Sequence, residues 1–278
     1  MYLVATPIGN LRDITLRALD TLRAADIIAC EDTRRTRPLL THFGITGTLV
    51  AYHDHNEDKA AQRLVGHMED GLSVALVSDA GTPLISDPGF GLVAATRAAG
   101  LPVTAIPGPS APLLALQLSG LASDRFCFVG FPPTRQGARK TAFAELASIP
   151  ASLIFFESPR RLADSLADMA AVFGPRPACV ARELTKLHEE VRTGPLPDLA
   201  GLYDKEGPPK GEVVIVVDAP GESEPISPEN LDALLQAALA DQPVRDAAAG
   251  VASVTGLSRK EVYERALILT GKKRAPQT

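Results

Sequence analysis

Short apolar runs and longer amphipathic segments alternate along the first hundred residues of the chain. The runs consist largely of consecutive Val, Ile, Leu and Ala residues, which is typical of strands that are covered on both faces. They predict strands over residues 2–5, 27–30, 49–52, 74–78 and 103–106. Because helical segments separate them, the pattern predicts an α/β domain with a mostly parallel sheet, whose ligand sites lie at the carboxyl ends of the strands.

A second set of apolar runs begins near Asp124 and predicts another α/β domain, with strands over residues 126–130, 153–156, 179–182, 190–193 and 213–218. The segment 219–228, APGESEPISP, is rich in Pro and acidic residues and is typical of a linker. Helices are predicted after it, over residues 228–240, 244–255 and 258–269. We therefore expect three parts, namely an N-terminal α/β domain (1–118), a C-terminal α/β domain (119–219), and a linker with a small helical module (220–278).

Composition and charge are those of a globular protein and narrow the range of its partners. Of the 278 residues, 45% are hydrophobic and 22% are charged, and the formal net charge is −5. This charge argues against a non-specific nucleic-acid binder, which is normally basic throughout, but it leaves room for an enzyme that meets RNA through local basic patches. The N-terminus lacks the pattern of a signal peptide, and no apolar run approaches the roughly 18 residues of a membrane helix, so we expect a cytoplasmic protein. The cysteines lie in separate apolar runs and are expected to be buried free thiols: Cys30, Cys127 and Cys179.

Loops rich in Gly and Pro follow three strands of the expected N-terminal domain. One of them, VSDAGTPLISDPGFG at residues 77–91, lets backbone amides approach a ligand closely, while Asp79 or Asp87 can accept hydrogen bonds. The others are TPIGN at residues 6–10 and PGPSA at residues 107–111, and neither resembles a dinucleotide-binding fingerprint or a P-loop. An elaborate turn would explain any one loop, whereas three at one edge of a sheet predict the rim of a ligand site.

Charged and polar residues follow two further strands of the same sheet. Residues 31–37, EDTRRTR, and residues 53–57, HDHNE, are expected to lie near each other at the carboxyl edge. The arginines suit contacts with phosphate groups, because the guanidinium fork matches phosphate oxygens. His53 and His55 leave a metal site open as an alternative, but no third ligand stands at a diagnostic spacing. We therefore favour contacts with a polar substrate and expect no metal.

The last predicted helix and the residues after it are basic. Glu261 and Glu264 are opposed there by a larger set of cations: Arg259, Lys260, Arg265, Lys272, Lys273 and Arg274. A three-helix module with one basic end resembles small nucleic-acid-binding modules, and a solvated terminal helix is equally compatible with the pattern.

Several long motifs occur in order along the chain: TPIGNLRDIT, EDTRRT, HDHNE, VSDAGTPLISDPG, IPGPSA, SDRFCFVGF and FFESPRRL. Together they resemble the tetrapyrrole-methylase superfamily, and within it the bacterial methyltransferases of small-subunit ribosomal RNA. The resemblance extends from Tyr2 to about Leu269. It implies two α/β domains of the tetrapyrrole-methylase type with a cofactor cleft between them, a small C-terminal helical module, and a homodimer.

The resemblance also implies an activity and a set of cofactor contacts. The implied reaction transfers a methyl group from S-adenosyl-L-methionine to the ribose 2′-hydroxyl of a cytidine in the decoding centre of 16S ribosomal RNA, in the small ribosomal subunit. The implied cofactor contacts are Pro7, Ile8, Asp79, Thr82, Ser110, Ala111, Phe156, Glu157, Leu184 and Gly211. Tetrapyrrole enzymes often carry Gly-Asp-Pro where this chain has Ser78-Asp79-Ala80, and this departure, together with EDTRRT, points away from porphyrin substrates.

The expected chemistry needs an aligned acceptor and gains from a base. Methyl transfer from a sulfonium is an in-line displacement, so holding the acceptor oxygen in line supplies much of the rate. A ribose hydroxyl is a poor nucleophile, and the sequence does not rank the candidate bases: Glu31, Asp32, His53, Asp54 and Lys186. Contacts with the RNA are expected from the following cations: Arg34, Arg35, Arg37, Arg135, Arg139 and Lys140.

Two other functions stay open at this point. Methylation of a tetrapyrrole carbon would need a large apolar cleft instead of a basic one. A non-catalytic ribosome-assembly factor that binds RNA could retain a degenerate cofactor fold, and the intact rim of Asp79, Thr82 and Ser110 argues against it.

Overall fold

The computed structural model of the protein describes residues 1–53, 56–221, 228–255 and 257–271. The chain forms two compact units, Met1–Pro220 and Gly221–Thr278. Among the described residues, the first unit contains two separate five-stranded sheets, and the second unit is helical. Every helix in these ranges is too short or too polar to cross a bilayer.

The first sheet consists of the strands β1 (Tyr2–Val4), β2 (Ile27–Cys30), β3 (Thr48–Ala51), β4 (Val74–Val77) and β5 (Thr104–Ile106). The strands are parallel and run in the order β3-β2-β4-β1-β5. Their carboxyl ends therefore lie at one edge of the sheet, as the alternating pattern predicts.

The helices that accompany this sheet are α1 (Leu16–Ala24), α2 (Thr33–His42), α3 (Glu57–Glu69), α4 (Phe90–Ala98) and α5 (Ala111–Ser119). Leu22 of α1 and Leu40 of α2 join one apolar cluster with the sheet, and Leu64 of α3 and Leu92 of α4 join another. The two clusters take alternate residues of the strands, so both faces are covered. This explains why β2 and β4 are apolar and buried throughout.

The second sheet consists of the strands β6 (Phe126–Gly130), β7 (Ser152–Glu157), β8 (Pro177–Arg182), β9 (Glu190–Pro195) and β10 (Val213–Val217), in the order β6-β7-β10-β8-β9. β6 and β7 are parallel, whereas β10 pairs antiparallel with both β7 and β8, and β9 pairs antiparallel with β8. One face of this sheet is covered by α6 (Gln136–Leu146), α7 (Leu162–Phe173) and α8 (Leu196–Glu206). α5 packs on the other face through Ala115 and Leu116, which ties the two sheets into one unit.

The second unit is described as α9 (Pro228–Asp241), α10 (Val244–Thr255) and α11 (Arg259–Leu269), close to the bounds predicted from the sequence. Leu235, Val251 and Val262 share its apolar core. α11 begins with a capping box, in which the Ser258 hydroxyl accepts from the Glu261 amide and the Glu261 carboxylate accepts from the Ser258 amide. This box satisfies two amides that would otherwise lack partners at the start of α11.

Candidate functional site

Three loops at the carboxyl edge of the first sheet are joined by hydrogen bonds. Between the loops after β1 and β4, the Thr6 amide donates to the Gly81 carbonyl over 2.9 Å, and the Gly81 amide donates to the Thr6 carbonyl over 3.0 Å. The Thr82 hydroxyl donates to the Pro109 carbonyl, in the loop after β5, over 3.0 Å. The structure therefore brings the three Gly/Pro loops together at one edge, as expected from the parallel order of the strands.

A cavity of about 330 Å³, which we call the inter-sheet cavity, lies between these loops and the second sheet. It receives side chains from both halves of the first unit, and much of its wall is apolar. Six of the ten residues expected to bind the cofactor line it: Ile8, Thr82, Ser110, Ala111, Phe156 and Glu157.

The other four expected cofactor residues lie elsewhere. Pro7 and Asp79 line a neighbouring cavity of about 270 Å³, which we call the edge cavity. Leu184 is buried in the apolar cluster between α5 and the second sheet. Gly211 has a φ of +95° and lies so close to the Glu183 side chain that a Cβ atom would collide with it. These four residues do not line the inter-sheet cavity.

Three carboxyl groups line the inter-sheet cavity, and two of them, Glu157 and Asp87, differ in their surroundings. Glu157 is 3% exposed, and its carboxylate accepts hydrogen bonds from the Ser158 amide over 2.7 Å, from Arg161 Nε over 2.7 Å, and from Ser165 Oγ. Asp87 is half-buried; burial raises its pKa, although the Ser78 hydroxyl opposes the rise. The Glu157 carboxylate is therefore held by hydrogen bonds within the cavity wall. Asp87, by contrast, is more easily protonated than an exposed aspartate.

The edge cavity lies at the ends of β1, β2 and β4. Its lining combines apolar side chains with one carboxylate and one guanidinium: Thr6, Pro7, Gly9, Leu11, Arg35, Thr36, Pro38, Leu39, Ser78 and Asp79. The Asp79 carboxylate accepts from the Asp32 amide over 3.2 Å and pairs with Arg35 Nε at 3.3 Å. The EDTRRT turn and the long loop after β4 thus meet at this cavity.

Two of the candidate bases are held in ion pairs. Asp32 accepts from the Arg34 amide over 2.8 Å and pairs with the Arg34 guanidinium, and these hydrogen bonds lower its pKa to about 2. Lys186 Nζ donates to Glu183 over 2.7 Å and to Glu212 over 3.0 Å. Burial alone would lower the pKa of Lys186, but the two carboxylates outweigh it and raise the pKa. Asp32 is therefore a weak base as placed, and Lys186 stays protonated.

The remaining candidate bases are Glu31, His53 and Asp54. Glu31 follows β2 and is half-buried, and His53 follows β3, an edge strand of the first sheet. Neither lines the edge cavity. Asp54 and His55 lie outside the described residues. Within the described ranges, no group of three or more His, Cys, Asp or Glu side chains could hold a metal ion.

The last residue of the HDHNE motif stabilises a neighbouring helix. The Glu57 carboxylate accepts from the Tyr52 hydroxyl over 2.8 Å and from the Gly91 amide over 3.0 Å. Gly91 lies in the first turn of α4, whose N-cap residue, Gly89, has no side chain to cap it. Glu57 therefore caps α4 from another part of the chain and fixes where the long loop after β4 ends.

The arginines of α2 are exposed, as contacts with RNA would require, but one expected contact must be corrected. Arg34, Arg35 and Arg37 lie on the surface of α2. The side chain of Arg139, by contrast, is 5% exposed, and its Nε donates to Asp168 over 2.8 Å. Arg139 thus neutralises a buried carboxylate and is not available to RNA.

Among the other cations expected to contact RNA, some are exposed and some are held in ion pairs. Lys140 is partly exposed and pairs with Asp168 at 3.4 Å, and Arg135 is exposed. Arg265, in α11, is bound to both carboxylate oxygens of Asp232 at 2.6 Å, so its charge is neutralised within the second unit. The cations after Gly271 lie outside the described residues: Lys272, Lys273 and Arg274.

The sequence and the fold match one family of known proteins. The sequence profile of the family described as Tetrapyrrole (Corrin/Porphyrin) Methylases matches residues 1–200. The chain belongs to the tetrapyrrole methylase family. A second profile, described as RsmI C-terminal HTH domain, matches residues 224–270, which cover the helices of the second unit.

Within the tetrapyrrole methylase family, the chain is similar to proteins named ribosomal RNA small subunit methyltransferase I. The one from Mesorhizobium japonicum is 53% identical over 270 residues, which are 97% of this chain and 92% of that protein. The one from Escherichia coli O157:H7 is 47% identical over 272 residues, which are 96% of this chain and 94% of that protein. The structure of uroporphyrin-III C-methyl transferase from Thermus thermophilus, complexed with S-adenyl homocysteine, has a TM-score of 0.55 at 19% identity, over 78% of this chain and 96% of that one. At that identity the likeness shows the fold alone.

Phe131 and Glu212 are among the lining residues of the inter-sheet cavity that were missed from the sequence. Phe131, directly after β6, is 61% exposed, and Glu212 directly precedes β10. An aromatic side chain at a strand end, in the motif SDRFCFVGF, was a signal for Phe131. Nothing local marks Glu212, because its place in the wall depends on where β10 lies in the sheet.

Proposed function

We propose that the protein uses S-adenosylmethionine to methylate small-subunit ribosomal RNA, at the ribose 2′-hydroxyl of a cytidine in the decoding centre of 16S RNA. The identity to methyltransferases of small-subunit ribosomal RNA over nearly the whole chain supports the substrate class. The observation that carries the proposal is the pair of adjoining cavities at one edge of the first sheet. Thr6 lines the edge cavity, and its hydrogen-bonded partner Gly81 lines the inter-sheet cavity, so the two cavities lie next to each other.

The inter-sheet cavity fits the cofactor. Phe131, Phe156 and Val214 provide apolar surface for an adenine ring. The first turn of α5, at Ser110 and Ala111, is not capped by a side chain, so its amides are left to bind polar atoms of the cofactor. When bound, S-adenosylmethionine supplies a methyl group on a sulfonium centre.

The edge cavity fits an acceptor nucleoside. Leu11 and Leu39 offer apolar surface to a base or sugar. The exposed arginines of α2 stand beside it and suit the flanking phosphates. Asp79 is the carboxylate in the lining, and we propose that it accepts the hydrogen bond of the acceptor hydroxyl and takes its proton. Asp32 is poorly suited to that role because hydrogen bonds from Arg34 lower its pKa to about 2, and Lys186 is poorly suited because it stays protonated.

A tetrapyrrole acceptor is not favoured. The edge cavity has a volume of about 270 Å³ and contains the ion pair of Asp79 and Arg35. A tetrapyrrole would need a large apolar cleft, and an arginine-rich helix beside the cavity suits phosphate groups instead.

The proposal predicts a specific loss from ribosomal RNA. In a strain that lacks this protein, the nucleoside mass map of 16S RNA should lose one 2′-O-methylcytidine. Purified protein and S-adenosylmethionine should restore it on small subunits from that strain. An unchanged map would contradict the proposal, and failure to bind S-adenosylhomocysteine in calorimetry would favour a non-catalytic assembly factor.

We also propose that the substrate is RNA within the small ribosomal subunit, that the protein acts in the cytoplasm, and that it is a homodimer. The dimer rests on the family resemblance. Sedimentation at micromolar concentration should then give twice the chain mass of 29.3 kDa. A single species of monomer mass would contradict the dimer without affecting the proposed reaction.

A further inference from the structure

The second unit carries a groove between α10 and α11 that the proposed reaction does not use. The groove has a volume of about 760 Å³ and is lined by two alanines of α10 and by Arg245, Asp246, Arg259, Lys260 and Tyr263. Arg245 is the second residue of α10, and Arg259 and Lys260 are the first two residues of α11. Three cations and one carboxylate therefore meet at the start of two helices.

The three cations of the groove are available to a ligand. All three are exposed, and none forms an ion pair with a carboxylate in the part of the chain that the structure describes. Glu261, which follows them in α11, is occupied by the capping box with Ser258. The positive charge of the groove is therefore opposed by Asp246 alone among its lining residues, and it favours an anionic ligand.

An exposed aromatic ring lies beside these cations. Tyr263 is 40% exposed and follows Arg259 by four residues, so the two side chains lie on the same face of α11. An aromatic ring next to cations suits a nucleobase that stacks while its neighbouring phosphates are neutralised. In helix-turn-helix proteins, the first residues of the second helix are the ones that contact nucleic acid. Arg259 and Lys260 hold that position in the pair formed by α10 and α11.

We propose that this groove binds RNA, with Arg245, Arg259 and Lys260 on phosphates and Tyr263 stacked on an unpaired base. The inference rests on the proposed function, which makes ribosomal RNA the substrate, and it adds a binding site on the second unit. It differs from the sequence-based expectation, which counted Arg265 among the free cations and overlooked Arg245. A protein of net charge −5 needs local sites of this kind to hold a polyanion.

The test measures binding of the full-length protein, saturated with S-adenosylhomocysteine, to a fluorescent transcript of 16S RNA as the salt concentration is varied. The triple variant Arg245→Gln/Arg259→Gln/Lys260→Gln should bind about tenfold more weakly or worse near 0.1 M salt. The slope of log affinity against log salt should fall by about 2–3, because each phosphate contact contributes about 0.7–0.9. Tyr263→Ala should weaken binding by about 5- to 150-fold without changing the slope, and Tyr263→Phe should restore it.

The matched control removes the same charge from exposed positions of the first unit. Arg63→Gln/Arg97→Gln/Lys205→Gln should keep the wild-type slope, since these side chains lie on the outer surfaces of α3, α4 and α8. Equal losses of affinity in the two triple variants would mean that binding depends on net charge alone, and they would contradict the proposed RNA site in the groove. Weaker binding to intact small subunits with unchanged binding to the naked transcript would mean that the groove meets a ribosomal protein, which also overturns the proposal.

The same experiment separates this inference from the proposed function. If the wild-type protein binds the transcript through the groove but methylates no small subunits, the proposed function is wrong, while the proposal that the groove binds RNA is supported. If the groove variant binds the transcript as the wild type does, the groove fails, whatever the methylation assay shows. Thermal unfolding of each variant tests whether the substitutions leave the protein folded, and we expect wild-type midpoints because the substituted side chains are exposed.

Discussion

Replacing Asp168 with alanine should lower the free energy of unfolding by about 3–5 kcal/mol, because the guanidinium of Arg139 would be left buried without its counter-ion. The Arg139 side chain is 5% exposed, and the Asp168 side chain is 3% exposed. Asp168 also accepts a hydrogen bond from Gln136 Nε2 over 3.0 Å. The pair joins α6 to α7 beside the core of the second sheet. Urea unfolding followed by circular dichroism measures the loss.

The matched control uses the other cation on the same carboxylate. Lys140 pairs with Asp168 at 3.4 Å, but its side chain is 45% exposed, so Lys140→Ala should cost about 0–1 kcal/mol. The double variant Arg139→Met/Asp168→Leu should recover much of the stability, because it removes both buried charges at once. A loss below about 1 kcal/mol for Asp168→Ala would mean that Arg139 finds another partner, and the account of this pair would be wrong.

The same ion pair should make stability depend on pH. Burial alone would raise the pKa of Asp168, but hydrogen bonds from Gln136 and Arg139 outweigh burial and lower the pKa. A group whose pKa is lowered by folding stabilises the protein above its unfolded pKa, about 3.9 for Asp, and that contribution is lost as pH falls through the lowered value. The cost of Asp168→Ala should therefore be full at pH 7 and shrink below about pH 4.

The first sheet could be predicted because its inner strands are covered on both faces and so consist of uninterrupted apolar residues. The predicted bounds of β2 agree with Ile27–Cys30 in the structure. Parallel order then places every strand's carboxyl end at the same edge. Thr6, Gly81 and Pro109 meet at that edge because β4, β1 and β5 are also neighbours in the sheet, which the sequence did not predict.

The strands of the second sheet were predicted, but their order in the sheet and some of their contributions to the site could not be. β10 lies between β7 and β8, and an apolar run says nothing about which strands will be its neighbours. Phe131, after β6, and Glu212, before β10, line the inter-sheet cavity together with residues from loops of the first sheet, such as Thr82. Arg139 and Asp168 are 29 residues apart, so their ion pair leaves no local signal in the sequence. Each of these features depends on contacts between distant segments of the chain.

Asp79 is the residue whose substitution should affect the reaction most. The family resemblance places it at the cofactor, whereas the structure places its carboxylate at the edge cavity, bonded to the Asp32 amide and to Arg35. If it takes the proton of the acceptor hydroxyl, Asp79→Asn should slow single-turnover methylation of small subunits by about 10²- to 10⁴-fold. The affinity for S-adenosylhomocysteine should change little, because the amide oxygen can still accept from Asp32 and the inter-sheet cavity is untouched.

Asp87→Asn is the matched control, since Asp87 lines the inter-sheet cavity. Its substitution should act on cofactor affinity and leave the rate at saturating cofactor close to that of the wild type. Arg35→Ala separates positioning from proton transfer, because it removes the ion pair of Asp79 but keeps the Asp79 carboxylate. We therefore expect KM for the small subunit to rise by a larger factor than kcat falls. If Asp79→Asn instead weakens cofactor binding as much as it slows methylation, Asp79 belongs to the cofactor site, as the resemblance implies. The base would then have to be sought among Glu31, His53 and Asp54.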